Sequence, residues 1–181
     1  MKYISFFILR MIGWKVTNSL PAGIPKCVVI MAPHTSMWDF VLGRLGFFIL
    51  DINVRFLIKK EMFFFPLGPL IKWLGGISVD RSKSTQTVDY IAGLFAKYDN
   101  LYFTITPEGT RKQVEHWKKG FYYIAQKANV PIALGFLDYS KKHGGIGPVI
   151  IPTGNFEEDF KMIESFYRGM GARHPEMFNL S

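Results

Sequence analysis

The sequence predicts a single α/β domain with a mixed, largely parallel sheet flanked by helices. Strand-like and helix-like segments alternate from residue 25 to residue 153, a pattern that places helices over the faces of a sheet. No linker or internal repeat interrupts this alternation. A chain of 181 residues fits one domain and can bury about two-thirds of the surface that it exposes when unfolded.

The predicted strands are short apolar runs that are rich in β-branched residues and bounded by turn residues. The first one ends at Pro33, because proline cannot donate to a strand ladder and keeps the residue before it extended. The predicted strands cover residues 27–31, 55–58, 77–79, 101–106, 132–137 and 149–151.

Four segments have the i, i+3, i+4 spacing of apolar residues that predicts a helix with one buried face. Ser36 is expected to cap the first of them. The third covers residues 114–129, and the fourth begins at Asn155, where Glu158 completes a capping-box pattern. The stretch 61–74 is also almost wholly apolar, but its two prolines prevent one straight helix.

Residues 1–16 form a separate N-terminal segment, and we assign residues 17–181 to the main domain. An apolar helical face is interrupted by Arg10 and Lys15, with Trp14 beside them. The apolar run is far shorter than the roughly 20 residues that span a bilayer. Two interpretations stay open: an interfacial helix that lies on a membrane, and a helix that packs on the protein's own sheet.

The composition favours an anionic partner. The formal net charge is +8, and 49% of the residues are hydrophobic. This combination suggests an anionic membrane, a phosphate-bearing substrate, an acidic partner or nucleic acid. The lysines occur as scattered pairs without a nucleic-acid motif, so we expect no nucleic acid. The single cysteine, Cys27, excludes an internal disulfide and is expected in the core of a strand.

His34 and Asp39 are the first candidates for chemistry. They can meet only if His34 lies on the turn after the first strand and Asp39 faces back from the first turn of the next helix. Such a pair is a general base with a carboxylate that orients it. The alternative is a loop histidine beside an Asp that merely caps the helix.

Polar residues also follow two further strands. Asp80 and Arg81 come after the third strand, and the turn after the fourth contains Glu108, Gly109 and Arg111. The carboxyl ends of strands are where sites gather in α/β folds. Arg111 could hold a phosphate with two hydrogen bonds, helped by backbone N–H groups of the turn. Standing alone, the turn with Glu108 and Arg111 could be an ordinary solvated turn, and Arg81 could be half of a surface ion pair with Asp80.

Taken together and in this order, four segments resemble the sequence blocks of the glycerolipid acyltransferases, the family of 1-acylglycerol-3-phosphate (lysophosphatidic acid) acyltransferases. The resemblance covers about residues 25–135, and four ordered blocks are far more specific than any one of them. A further segment, Lys59-Lys60-Glu61 with the Phe-rich stretch after it, is also similar. The four blocks are His34-Thr35-Ser36-Met37-Trp38-Asp39, Gly76-Ile77-Ser78-Val79-Asp80-Arg81, Pro107-Glu108-Gly109-Thr110-Arg111 and Val130-Pro131-Ile132.

The resemblance implies a glycerol-3-phosphate acyltransferase-like fold and acyl transfer from acyl-CoA or acyl carrier protein to the free hydroxyl of a lysophospholipid. On the matching positions, His34 would be the general base and Asp39 its orienting carboxylate. The acceptor and its phosphate would be held by Glu108, Gly109, Thr110, Arg111, Lys59 and Arg81. Four positions depart from the family pattern, and they leave the acceptor and the membrane attachment open: Pro33, Thr106, Lys112 and Leu134.

We expect no cofactor and no metal, since attack on a thioester needs a base, an anion grip and an apolar slot. The four histidines have no zinc-ligand spacing. The residues Phe63-Phe64-Phe65 are expected to enter lipid, line the acyl slot or pack inside the fold. The expected location is the cytoplasmic face of the cell membrane, with peripheral or monotopic contact to anionic lipid. The alternatives are another acyl acceptor, or a non-catalytic protein that binds anionic membrane surfaces.

Overall fold

A seven-stranded sheet forms the centre of the molecule. The computed structural model describes residues 1–17, 19–79 and 84–180. The strands in chain order are β1 (Lys15–Thr17), β2 (Lys26–Ala32), β3 (Val54–Lys59), β4 (Gly76–Val79), β5 (Leu101–Ile105), β6 (Ile132–Asp138) and β7 (His143–Ile150).

The sheet is mixed and mostly parallel, as the sequence predicts. Its strand order is β1-β7-β6-β2-β5-β3-β4. Only the pairing of β6 with β7 is antiparallel among the described strands, and all other neighbours are parallel. The carboxyl ends of β5, β2 and β6 therefore lie side by side at one edge of the sheet.

Six helices surround this sheet in the described part of the chain. They are α1 (Lys2–Met11), α2 (Met37–Leu50), α3 (Leu67–Trp73), α4 (Ser84–Lys97), α5 (Gly120–Ala128) and α6 (Phe156–Tyr167). Ser36 caps α2 in a capping box with Asp39. Asn155 caps α6 by accepting from the backbone N–H of Glu158, which is half of the predicted capping box.

Alternate residues of β2 point into two different cores. Val28 and Ile30 pack with residues of α4, α5 and α6 on one face of the sheet. Cys27 and Val29 pack with Phe47 of α2 on the other face. The helices α1 and α2 pack against each other on that second side. Helix α2 therefore covers one face of the sheet, and the larger core lies on the other face.

Two elements differ from the sequence-based expectation. The helix expected over residues 114–129 begins only at Gly120, because Trp117 lies in a loop and donates from Nε1 to the carbonyl of Asn179. The helix does end at Asn129, as predicted. The strand β7 begins at His143, well before the predicted 149–151, because its glycine-rich first half pairs with β6 despite low strand propensity.

The N-terminal segment contributes both a helix and a strand. The apolar face of α1 contacts α2 through Leu9, whereas most of its other large apolar side chains are exposed. The chain then enters the sheet as β1 at Lys15, so this strand crosses the predicted border between residues 16 and 17. None of the helices in residues 1–17, 19–79 and 84–180 is long and apolar enough to cross a membrane.

Candidate active site

Three neighbouring strand ends build the candidate site. The central strand β2 ends at Ala32, and His34 lies on the turn that follows. On one side, β5 leads into the turn that carries Glu108. On the other side, β6 ends at Asp138 and Tyr139 follows it. Parallel pairing brings these three turns to one edge of the sheet.

His34 and Asp39 face each other at the start of α2. The Nδ1 atom of His34 lies 3.5 Å from Oδ2 of Asp39, which is an ion-pair distance and longer than a normal hydrogen bond. His34 is partly accessible, whereas Asp39 is almost fully buried. The geometry therefore has the histidine on the turn and the carboxylate facing back toward it.

Three hydrogen-bond donors hold the Asp39 carboxylate in addition to its contact with the imidazole. Backbone N–H groups of Thr35 and Ser36 each donate to Oδ2 at 2.7 Å. The hydroxyl of Tyr139 donates to Oδ1 at 2.6 Å. Burial alone would raise the pKa of Asp39, but the contact with His34 and the hydrogen bonds from Tyr139 and Ser36 lower it below its usual value. Asp39 is therefore an anion at neutral pH.

Glu108 supports the histidine turn from the side of β5. The backbone N–H of His34 donates to both of its carboxylate oxygens, at 2.9 Å and 3.1 Å. The residue is only 3% exposed. Burial raises the pKa of Glu108 to about 7, the bond from His34 opposes this rise, and the nearby Asp39 charge adds to it. Glu108 contacts the backbone of His34, so it positions the turn that carries the base.

The rest of this turn is solvent-facing. Gly109 has a φ of 68°, in the left-handed region that favours glycine, and an added Cβ would lie 3.0 Å from the Lys118 side chain. Thr110 and Arg111 are exposed. Arg111 makes no ion pair with any residue in the described ranges, so its guanidinium is available to a ligand. Lys118, which sequence reasoning did not select, adds a second cation beside Gly109.

The remaining predicted site residues have different positions. Lys59 ends β3, whose neighbour is β5, so it lies at the same edge of the sheet and is exposed. Arg81 and Asp80 lie outside the described residues. Cys27 is fully buried, and burial raises its pKa to about 12, which leaves it a core thiol. In the described part of the chain, no group of three His, Cys, Asp or Glu side chains is arranged to hold a metal ion.

The sequence did not indicate two contributors to this edge. Tyr139 reaches Asp39 across 100 positions of the chain. The tail beyond residue 169, which has little pattern, returns to the site: the backbone N–H of His174 donates to Oγ1 of Thr35, and Arg173 lies 5.5 Å from the ring of Trp38. None of these three contacts has a local sequence signal, because the two partners of each contact are distant in the chain.

This arrangement can perform base catalysis on an incoming hydroxyl. A partly accessible imidazole is held by a buried carboxylate on one ring nitrogen, and its other nitrogen has no hydrogen-bond partner among the described residues, so it can take a proton. Exposed cations follow on the β5 turn, where an anionic group of the same substrate can be held.

The chain is similar to known acyltransferases. The human 1-acyl-sn-glycerol-3-phosphate acyltransferase beta is 35% identical over 112 residues, which cover 58% of this chain and 38% of the human protein. The chain thus spans well under half the length of this curated relative. The crystal structure of the 1-acyl-sn-glycerophosphate (LPA) acyltransferase PlsC from Thermotoga maritima aligns over 91% of this chain and 74% of that chain.

The alignment with PlsC has a TM-score of 0.61 at 19% identity, so this likeness concerns the fold. A family model described as Acyltransferase matches residues 15–133, which is more than half of the chain and includes both His34 and Arg111. The chain therefore belongs to the Acyltransferase family.

Proposed function

We propose that this protein transfers a fatty acyl group from acyl-CoA or acyl carrier protein to the free hydroxyl of 1-acylglycerol-3-phosphate, which yields phosphatidic acid. The observation that carries the proposal is the pairing of an accessible His34 with a buried Asp39 at the carboxyl end of β2. The named relatives, a human and a bacterial acyltransferase of acylglycerol phosphates, support the choice of acceptor.

The proposed reaction proceeds by direct attack. His34 takes the proton of the acceptor hydroxyl through Nε2, while Nδ1 keeps its proton toward Asp39. The acceptor oxygen bonds to the thioester carbonyl carbon and forms a tetrahedral oxyanion. The carbon–sulfur bond then breaks, and the leaving thiolate receives the proton from the imidazolium. The products are an ester and a free thiol, and no resident cofactor or metal is needed.

The decisive experiment measures thioester turnover in the wild type and in His34→Ala. Removing a general base costs about 10² to 10⁴-fold in rate. His34 is partly exposed and lies outside the core clusters, so the variant is expected to fold. His143→Ala, on β7 between β1 and β6, is the matched control and is expected to keep its rate. A folded His34→Ala that retains more than about a tenth of wild-type kcat would contradict the assignment.

The acceptor is the second point to test. We propose that Arg111 holds its phosphate, with Lys59, Arg81 and the turn residues Glu108 to Thr110 shaping the site around it. A screen of lysophospholipids and non-phosphate alcohols with a labelled acyl donor decides between 1-acylglycerol-3-phosphate and another acceptor. A protein that binds anionic membranes without catalysis would turn over none of them.

We further propose peripheral contact with an anionic membrane, on the cytoplasmic face of the cell membrane. Two surfaces support this contact. The outer face of α1 exposes large apolar side chains that include Phe7 and Met11. The segment that leads into α3 exposes Phe64 and Phe65, and α3 itself exposes Trp73. Exposed aromatic and aliphatic side chains beside lysines are typical of surfaces that insert shallowly into lipid.

A further inference from the structure

We infer that Tyr139 is a positioning residue for the proposed acyl transfer, and that it acts through Asp39. The inference rests on the proposed function, and it concerns a residue outside the four family blocks. Its basis is one contact: the Tyr139 hydroxyl donates to Oδ1 of Asp39 at 2.6 Å.

The Tyr139 hydroxyl and two backbone N–H groups together fix which oxygen of Asp39 faces the histidine. Oδ2 lies toward His34 Nδ1 and also accepts from two backbone N–H groups. Oδ1 has Tyr139 as its donor. A carboxylate with a different donor on each oxygen cannot rotate about χ2 without losing both sets of bonds. The imidazole therefore always meets the same oxygen at the same angle.

Tyr139 is itself held on several sides. Its ring makes an edge-to-face contact with Trp14, with the centroids 4.9 Å apart. Its backbone N–H donates to the carbonyl of Gly171 at 2.8 Å. The exposed Arg173 also interacts with its hydroxyl. Burial and the bond to Asp39 together raise the pKa of Tyr139, so its hydroxyl stays a donor through the physiological range.

The segment 171–174, here called the C-terminal strap, connects this support to the histidine turn. At one end, the backbone N–H of Gly171 donates to Asp138 at the end of β6. At the other end, the backbone N–H of His174 donates to Oγ1 of Thr35, which is buried. The strap therefore ties the strand end that carries Tyr139 to the turn that carries His34.

The chain contains a matched control for the loss of this one hydroxyl. Tyr122 also donates to a buried aspartate, at 2.7 Å from Oδ2 of Asp159, between α5 and α6. Tyr122→Phe removes a Tyr–Asp bond of the same kind away from the three strand ends of the site. It is expected to lower the Tm and to leave kcat and the pH–rate profile unchanged.

Tyr139→Phe keeps the ring and its contact with Trp14, so the fold is expected to remain. We expect kcat to fall about tenfold, because the variant loses a hydrogen bond to a charged group. Both KM values are expected to stay within about twofold of the wild type. The acidic limb of the pH–rate profile is expected to move to higher pH, because a carboxylate with one donor fewer stabilises a protonated neighbour more strongly.

A double-mutant cycle tests whether the effect passes through Asp39. In Asp39→Asn, the further change Tyr139→Phe is expected to cost no additional rate. Additive losses, or a Tyr139→Phe enzyme with wild-type kcat and pH profile, would overturn the inference. If Tyr139→Phe does not fold, Arg173→Ala decides: a lower kcat at unchanged KM supports the inference, and an unchanged kcat overturns it. His34→Ala in the same assay separates the two proposals. A folded His34→Ala that stays active contradicts the proposed function, whereas the outcomes above concern only the role of Tyr139.

Discussion

At the scale of single residues, the two acidic groups at the site are held in different environments. Asp39 accepts hydrogen bonds from a hydroxyl and two backbone groups, which lower its pKa. Glu108 is equally buried, but within the described part of the chain it accepts only from the backbone of His34, and burial raises its pKa to about 7. One carboxylate therefore stays charged at neutral pH, while the other is close to its titration midpoint.

The raised pKa of Glu108 predicts a pH-dependent stability. Between pH 4.5 and about 7, the folded state keeps this proton and the unfolded state has lost it, so the free energy of unfolding decreases as the pH rises. The decrease is on the order of 3 kcal/mol. Glu108→Gln is expected to remove it, as measured by chemical denaturation across this range. Glu115→Gln at an exposed position is the control, and parallel curves for wild type and Glu108→Gln would contradict the prediction.

Arg111 is predicted to govern the acceptor and not the acyl donor. Loss of a charge-assisted bond to phosphate costs about 1.5–3 kcal/mol, so Arg111→Ala is expected to raise the acceptor KM roughly ten- to a hundredfold. Arg111→Lys is expected to recover part of this, because an ammonium cannot form the bidentate pair. Steady-state kinetics with each substrate varied in turn measures both.

The neighbouring Lys112→Ala controls for a general loss of positive charge, because Lys112 is exposed beside Arg111. It is expected to change the acceptor KM little. An Arg111→Ala enzyme that is defective mainly in the KM of the acyl donor would move Arg111 to the thioester side of the reaction.

At the scale of elements, α1, α2 and α3 are neighbouring helices that expose no acidic side chain. The sequences of α1 and α3 contain no acidic residue, and the one acidic residue of α2 is the buried Asp39. Trp73 of α3 lies beside Phe48 of α2, with ring centroids 5.8 Å apart, and α1 packs on α2 as well. The three helices thus form one side of the molecule, with cationic and apolar groups at its surface.

This side is predicted to bind anionic vesicles. Phe7→Ser on α1 and Phe65→Ser before α3 remove exposed side chains, of which Phe65 is 87% exposed, so neither is expected to lower the Tm. Each is expected to weaken vesicle binding by about tenfold, because a buried Phe contributes about 1.5–3 kcal/mol. Co-sedimentation measures the partitioning. Tyr90→Ser on α4 is the control from the opposite layer, and equal binding by Phe7→Ser and wild type would exclude α1 as an anchor.

At the scale of the whole molecule, the net charge of +8 is expected to act together with these apolar surfaces. Each Lys or Arg near an anionic membrane contributes about 1 kcal/mol, and salt screens this term. Binding to anionic vesicles is therefore predicted to fall by about tenfold or more between 0.1 and 1 M salt. Neutral vesicles are expected to bind weakly at either concentration. Binding that does not change with salt would mean that the apolar contact alone holds the protein on the vesicle.

Much of this molecule follows from local sequence patterns. The apolar run before Pro33 predicts β2, because a proline cannot continue a strand ladder. Ser36 predicts the start of α2, because its side chain satisfies a free backbone N–H group. The alternation of such segments predicts the α/β layering, and the ordered blocks around His34 and Arg111 indicate the family. These signals are readable because each one lies within a few residues of the chain.

Other features were decided only by tertiary structure, because their partners are far apart in sequence. Glycine-rich β7 has weak strand propensity of its own and becomes a strand by pairing with β6. Trp117 continues a helical spacing but packs in a loop, where it donates to the carbonyl of Asn179. Tyr139 reaches Asp39 only because β6 lies beside β2 in the sheet. Local sequence determined most of the strands, helices and turns, whereas the order of the strands in the sheet determined which distant side chains meet.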